Sequence, residues 1–467
     1  MSKIRIIKKF KIEVTLDIFF DINKKLIDIP KIKNNIIKVV KNFEILPLQN
    51  IKKRFILYSI YLKDILNENI QLKFSKNIME VLKIIENKYI ENPIKQNERF
   101  LLRILGVLCH TQFIGPEWFH LDVSNPCNID CNYCWFYSKY LKNPPSYEFK
   151  KSMINYRDFK NLVNDLARLS TDTILFTGAG EPFLHPKIND MIKFVKEKKI
   201  KLQIFTNGTI INEESAKTII ETETDELFIS VSASNPITYV KVHPNQKEKL
   251  FFDSEKNIKR LIKLKKEKRK KNPNIVLLFV ICRDNYNDVI EMADWAFKLG
   301  VDSIRYQLAH NGDASEVELL DKQKEFVREK ILKVKKKFKG TSLHINPNIF
   351  FQLENTDKNN EWYESHYEKK GCYVGWFFSR LWADNKISFC CIKKEVEHFK
   401  HKNSFWSLWK SQKYDKYRNA ARSFGKENIL LTQNYFLIDK DCSHCGNYEI
   451  NEKVFNFFEE TGLKKYL

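Results

Sequence analysis

Three cysteines fall within eight residues in Asn125-Pro126-Cys127-Asn128-Ile129-Asp130-Cys131-Asn132-Tyr133-Cys134-Trp135. A thiolate is a soft, charged ligand, and three of them on one loop can converge on a single metal centre. Structural zinc would want a fourth ligand to close its tetrahedron, and His110 and His120 stand near enough in sequence to be borrowed. A four-iron cluster held by only three thiolates would keep one iron open to a substrate or cofactor. Plain burial of the thiols is the remaining alternative. Farther on, Gly178-Ala179-Gly180-Glu181-Pro182 ends a predicted strand in a glycine-rich turn that carries an acid. Missing side chains at such a turn let backbone groups come close to a ligand.

These loops need elements to hold them. Apolar runs at Trp118–Val123, Thr173–Thr177, Lys201–Thr206, Glu226–Ser232, Asn274–Cys282 and Ser303–Leu308 predict strands. Helical stretches such as Tyr156–Leu169, Asp288–Leu299 and Asp321–Phe338 lie between or after them, the last stopping at Gly340. Strands alternating with helices predict an α/β fold with a parallel sheet, open or curled into a partial barrel. Ligands in such folds bind at the carboxyl ends of the strands, which is where both loops lie. Before residue 113 the chain reads as a separate accessory unit. Phe10 to Phe20 alternate as in a half-buried strand, and Ile78, Val81, Leu82, Ile85 and Tyr89 fall at helical spacing behind Ser75.

The Cys-x3-Cys-x2-Cys spacing with an aromatic before the third cysteine resembles the signature of the radical S-adenosylmethionine (radical SAM) superfamily, at Cys127, Cys131, Tyr133 and Cys134. The turn Gly178, Gly180, Glu181 and Pro182 resembles that family's Gly-Gly-Glu-Pro element, with Ala179 as a departure. The resemblance spans Glu117–Gly340 and implies a partial (β/α)6 TIM-type barrel. It also implies that Cys127, Cys131 and Cys134 ligate a four-iron four-sulfur cluster. S-adenosylmethionine would chelate the open iron and be cleaved to a 5′-deoxyadenosyl radical, which abstracts hydrogen from a substrate. By the same resemblance the Gly178–Pro182 turn holds the methionyl amino group and Asn207 ends the third strand. Ser230 and Ser232 reach the ribose, and Val280–Cys282 with Tyr306–Gln307 flank the adenine.

Five of the ten cysteines follow the barrel: Cys372, Cys390, Cys391, Cys442 and Cys445. A predicted hairpin turning at Asp384-Asn385 joins Cys372 to the Cys390-Cys391 pair. This resembles the opening of the SPASM and Twitch extensions of radical SAM enzymes, with Asn385 where they carry glycine. Under that resemblance Cys390 is the matching ligand and Cys391, on the opposite strand face, is spare. Cys372, Cys390, Cys442 and Cys445 would then hold one auxiliary four-iron four-sulfur cluster, and zinc on the same four thiolates is the alternative. The expected organisation is an N-terminal α+β accessory region over 1–112, a radical SAM core over 113–345 and a small cysteine-rich Twitch/SPASM-like domain over 346–467. Cys109 and Cys282 sit in apolar segments and read as buried thiols. His185, His243 and His310 follow strands or their turns, and could line the cavity or serve structural roles.

Composition bounds the rest. The 467 residues are 43% apolar and 30% charged, which excludes a disordered chain, and they are long enough for two to four folding units at roughly 100–200 residues each. No apolar run reaches the roughly 18–20 residues that span a bilayer. No uninterrupted apolar stretch follows the basic N-terminus, so a secretory signal is not expected and the cytoplasm is the expected compartment. The net charge of +22 raises the alternative of an RNA-modifying enzyme. The most basic stretch, Ile258–Lys271, nevertheless has an apolar face, so it reads as a solvated helix and nucleic acid is not an expected partner. A non-catalytic zinc scaffold is the alternative from another class. The expected partners are a peptide or a sugar- or nucleotide-type metabolite as substrate, and an electron donor such as flavodoxin or ferredoxin.

Overall fold

The computed structural model describes residues 114–310 and 314–356 without a break. It also describes 98–108, 112, 370–391, 395–399, 404–422, 430–432, 435–438, 442, 445–461 and 464, with short strands between residues 3 and 27. Near the N-terminus β1 (Lys3–Ile6) pairs antiparallel with β2 (Val14–Asp17), and β3 (Phe20–Asp21) pairs with β4 (Leu26–Ile27). The alternation from Phe10 to Phe20 thus feeds two strands with different partners. The helix expected around Ile78–Tyr89 lies outside the described residues, as do Cys109 and His110.

The six strands expected for the barrel are β5 (Trp118–Asp122), β6 (Thr173–Thr177), β7 (Lys201–Thr206), β8 (Glu226–Ser230), β9 (Asn274–Ile281) and β10 (Ser303–Leu308). Each lies parallel to its sequence neighbour. Their near-continuous apolar runs are what a sheet covered by helices requires. The helix Tyr156–Arg168 buries Phe159, Leu162, Val163 and Leu166 against this sheet. Asn155, Asn212 and Asn235 each cap a helix by accepting a backbone N–H with the side-chain oxygen, so three starting points are written into the sequence.

The basic stretch belongs to the helix Lys249–Glu267 and its end, with Ile258, Leu261 and Ile262 buried. Its lysines are answered by carboxylates: Lys259 by Glu255 at 2.9 Å, Lys265 by Asp302 at 2.7 Å and Lys270 by Glu223 at 3.1 Å. A phosphate backbone would have to compete with these pairs.

The sheet does not close. The outer edge of β10 takes β11 (His344–Ile345), and the outer edge of β5 takes β12 (Phe378–Leu381) in parallel register. β13 (Lys386–Ser388) and β14 (Glu395–His398) then extend it antiparallel, giving a ten-stranded sheet in the order β11-β10-β9-β8-β7-β6-β5-β12-β13-β14. The barrel is therefore partial, as expected, and the C-terminal hairpin continues its sheet. The hairpin turns where the sequence predicts, with Asn385 in the left-handed region at φ 64°. Among the described residues no helix is long and apolar enough to cross a membrane.

Candidate functional site

β5 ends at Asp122 and the chain runs directly into the cysteine loop. The polar residues between the cysteines hold that loop against the neighbouring strands. The Asn128 amide donates to Thr209 Oγ1 at 2.8 Å, Thr209 Oγ1 donates to Asn207 Oδ1 at 2.6 Å, and Asn207 donates back to Asn128 Oδ1 at 2.9 Å. Asn132 donates to Asp284 at 2.7 Å and to the Lys241 carbonyl at 3.0 Å. Asp130 accepts from Asn245 and Gln246. These clamps tie the loop to the turns after β7 and β9, to the helix Pro236–Val242 and to the turn that follows that helix.

The glycine-rich turn after β6 closes on the same loop. A Cβ on Gly180 would stand 2.0 Å from the Asn125 carbonyl oxygen and 2.1 Å from that of Pro126, and one on Gly178 would stand 2.7 Å from the Ser124 oxygen. Glu181 N donates to the Pro126 carbonyl at 2.8 Å. The close approach expected of these glycines toward a ligand is therefore used by the backbone of the cysteine loop. Glu181 is buried and ties the turn to the end of β7, accepting from Thr206 Oγ1 at 2.7 Å, Asn207 N at 2.7 Å and Phe183 N at 3.1 Å. Burial outweighs these bonds and lifts its carboxyl to about 7. Pro182 follows as the first residue of a short 3-10 turn.

Tyr133 turns inward, and its hydroxyl donates to Ser232 Oγ at 2.8 Å. Ser232 is fully buried, at φ 53°, and also accepts from Val280 N at 3.1 Å. The Ser232 oxygen thus ties the loop to β9, whereas Ser230 is only half-buried. Tyr306, expected to flank the adenine, is a correction. It is buried and donates to the Val289 carbonyl at 2.7 Å, facing the covering helix. Gln307 accepts from Asn348 at 2.9 Å. Cys282 is a buried thiol, as expected.

The histidines divide. His185 Nε2 lies 2.9 Å from the Ile154 carbonyl and its Nδ1 accepts from Lys187 N, a structural role. His243 is buried against Tyr239, and burial lowers it to about 4. His120 packs edge-on to Phe378 and burial lowers it to about 3, so it stays neutral within β5. His310 sits 2.7 Å from Glu318 and edge-on to the exposed Trp135 that follows the cysteines.

The donor set fits a positively charged group. Burial pushes the Cys127 thiol up to about 12, with Glu181 and Cys134 adding negative charge, and raises Cys131 and Cys134 as well. Cys131 feels the charge of both other thiols. Ionising three half-buried, mutually repelling thiols is favoured by a cationic centre among them. Among the described residues no three His, Cys, Asp or Glu side chains group as they would around a single metal ion.

Cys372 and Cys445 each feel the charge of Cys391 and Cys442. Cys390, like Cys372, packs against the hydrophobic core. A buried ion pair that the sequence reading missed links the two regions. Asp122, at the end of β5, receives Nε and Nη2 of Arg380 on β12 at 3.0 and 2.8 Å, and Arg380 Nη1 donates to the Cys391 carbonyl at 3.0 Å. Beside it, a cavity of about 520 Å³ opens between the segment after the cysteine loop and the hairpin, walled by Phe136, Phe149 and Trp382 with Glu148, Asp384 and Lys386.

Residues 121–296 match the Radical SAM superfamily. The tungsten-containing aldehyde ferredoxin oxidoreductase cofactor-modifying protein of Pyrococcus furiosus is 27% identical over 193 residues, 40% of this chain and 50% of that protein. The antilisterial bacteriocin subtilosin biosynthesis protein AlbA of Bacillus subtilis is 24% identical over 153 residues, 33% of this chain and 31% of that protein. The chain thus spans half or less of the length of these two curated relatives. The crystal structure of Streptococcus suis SuiB bound to precursor peptide SuiA shares the fold, with a TM-score of 0.51 at 15% identity over 80% of this chain and 83% of that one. The family match begins inside β5 and ends in the helix after β9, so the cysteine loop and the turns that clamp it lie within a stretch of the chain that matches the Radical SAM superfamily.

Proposed function

We propose that this chain holds a four-iron four-sulfur cluster on Cys127, Cys131 and Cys134 and uses S-adenosylmethionine there to activate a C–H bond of a peptide substrate. The observation that carries the reading is the trio of half-buried thiols on one loop at the carboxyl end of β5, clamped there by Asn128, Asp130 and Asn132. When bound, the cluster and S-adenosylmethionine supply a one-electron cleavage of the sulfonium to methionine and a 5′-deoxyadenosyl radical, the electron arriving from a flavodoxin- or ferredoxin-type donor.

The chain's own residues orient and exclude. Asn128, Asn207 and Thr209 hold the loop in one conformation, so the thiols need no reorganisation when they bind. Glu181 keeps the turn after β6 against the end of β7, leaving the backbone of Gly178–Pro182 beside the loop for the methionyl amino group. Ser230 stands at the end of β8 for the ribose, and Val280 and Gln307 border the adenine side. A second metal group on the C-terminal thiols would take up the electron left after hydrogen abstraction or help hold substrate. The cavity between Phe136 and Trp382 is of a size that admits a peptide side chain.

The name of the Bacillus subtilis relative, a bacteriocin biosynthesis protein, favours a peptide, whereas that of the Pyrococcus furiosus relative favours a metabolite-sized substrate. The paired lysines of the basic helix count against RNA. The test is anaerobic reconstitution with iron and sulfide. About eight irons per chain, four at each set, with reductive conversion of S-adenosylmethionine to 5′-deoxyadenosine, is the expected result. Zinc without iron, and no cleavage, would overturn the enzyme reading in favour of a zinc scaffold.

A further inference from the structure

Along β10 the side chains alternate between two faces. Ile304 and Tyr306 pack among the covering helices, where Tyr306 donates to the Val289 carbonyl. Arg305 and Gln307, in unbroken register with Leu278 and Val280 of β9, therefore face the inside of the partial barrel. Solvent reaches that inner face near the carboxyl ends of the strands. Thr177, Phe205, Ser230 and Val280 are half-buried there, as are Arg305 and Gln307.

Asp122 and Glu226 on this face have partners. Asp122 holds Arg380, and Glu226 accepts from the amides of Gln203 and Asn274. Arg305 differs: among the described residues it makes no hydrogen bond and no ion pair. Glu226 pairs with Asn274, four residues before the Leu278 that pairs with Arg305, so the two charges stand about 13 Å apart along the strands. Gln307 accepts from the Asn348 amide at 2.9 Å, and Asn348 accepts from Tyr448 Oη at 2.5 Å. That chain of bonds occupies the Gln307 oxygen and leaves its amide N–H groups as donors. Arg305 and Gln307 thus present donors alone. A half-buried guanidinium with no anion beside it has given up hydration without a replacement, and its planar fork matches the two oxygens of a carboxylate.

We propose that Arg305, with the Gln307 amide, binds a carboxylate of the substrate peptide. This rests on the peptide reading above and narrows it to a peptide that offers a carboxylate, from an acidic side chain or from its own C-terminus. Leu278 pairs with Ser230 on one side and Arg305 on the other, so the ribose side and the anchored carboxylate are two strand spacings apart, about 10 Å. A residue held at Arg305 can then reach back toward the ribose side.

The test uses the full chain, reconstituted anaerobically and loaded with S-adenosylmethionine, and equilibrium dialysis of labelled probes. The parent is expected to bind acetyl-Gly-Glu-Gly-amide or acetyl-Gly-Gly-Gly acid at least about tenfold tighter than acetyl-Gly-Gln-Gly-amide. The first preference marks an acidic side chain and the second a chain end, and either supports the proposal. Arg305→Gln should abolish the preference, Arg305→Lys should keep part of it, and Arg305→Glu should favour acetyl-Gly-Lys-Gly-amide instead. Binding and uncoupled cleavage of S-adenosylmethionine should be unchanged in Arg305→Gln, and its melting midpoint by circular dichroism should equal or exceed the parent's. A preference that survives Arg305→Gln, or none in the parent, would overturn the proposal. Loss of S-adenosylmethionine binding would assign Arg305 to the cofactor, a lowered midpoint would make it structural, and binding of inorganic phosphate in place of every carboxylate probe would rule out the carboxylate. Failure of the parent to cleave S-adenosylmethionine would instead count against the enzyme reading, whatever the probes do.

Discussion

Asp122 and Arg380 stand 258 residues apart in the chain and share two hydrogen bonds in the interior. The carboxylate is wholly buried, and the guanidinium lies 3.6 Å above the ring of Trp382. Burial raises the Asp122 carboxyl, and Arg380 opposes that rise. The pair joins the strand that leads into the first cysteine loop to the hairpin that leads to Cys390 and Cys391.

Breaking that pair from one side leaves a buried charge without its partner, a loss of about 3–5 kcal/mol. Arg380→Met alone is expected to destabilise the chain by that order in urea titrations at neutral pH. Asp122→Leu with Arg380→Met should recover most of it, because two apolar groups then fill the gap. A double-mutant cycle with no coupling would show that the pair does not join the two regions.

Gly180→Ala places a methyl group against two backbone carbonyls that cannot swing away. It is expected to cost about 1–3 kcal/mol and to push the cysteine loop off its clamp. Iron at the barrel set should fall while the C-terminal set keeps its iron. Full loading of both sets by Gly180→Ala would mean that the turn does not position the loop.

Glu181 predicts a pH dependence. Its folded carboxyl sits near 7, above the ordinary value of 4.5. Between those values the folded chain holds a proton that the unfolded chain has released. This group therefore makes stability fall as pH rises through the window, and the penalty is constant above it. In the metal-free chain, Glu181→Gln should flatten the decline in urea midpoint between about pH 5 and 7 relative to the parent. His243, lowered to about 4, acts in the opposite direction, and the comparison with the parent cancels it. An unchanged slope would show that Glu181 does not titrate there.

Much of the site was legible in one dimension because its parts are local. Three thiols at Cys-x3-Cys-x2-Cys spacing share a loop whatever surrounds them, and apolar runs alternating with helices leave a parallel sheet as the economical fold. The asparagines between the cysteines were a signal in plain view. Asn128 and Asn132 have hydrogen-bonding capacity that a loop this close to three strand ends must satisfy, and the structure shows both engaged.

What the sequence by itself determined is therefore the chemistry available: which thiols, which turn, which strands. Tertiary structure alone decided who meets whom. Ser232 and Tyr306 read as ligand-facing by strand counting, yet their hydroxyls are engaged by Tyr133 and Val289, because side-chain direction depends on neighbours that the strand itself does not encode. Asp122 and Arg380 looked like two ordinary charges until β12 took the edge of β5, since an ion pair across so many residues exists only once the sheet has formed.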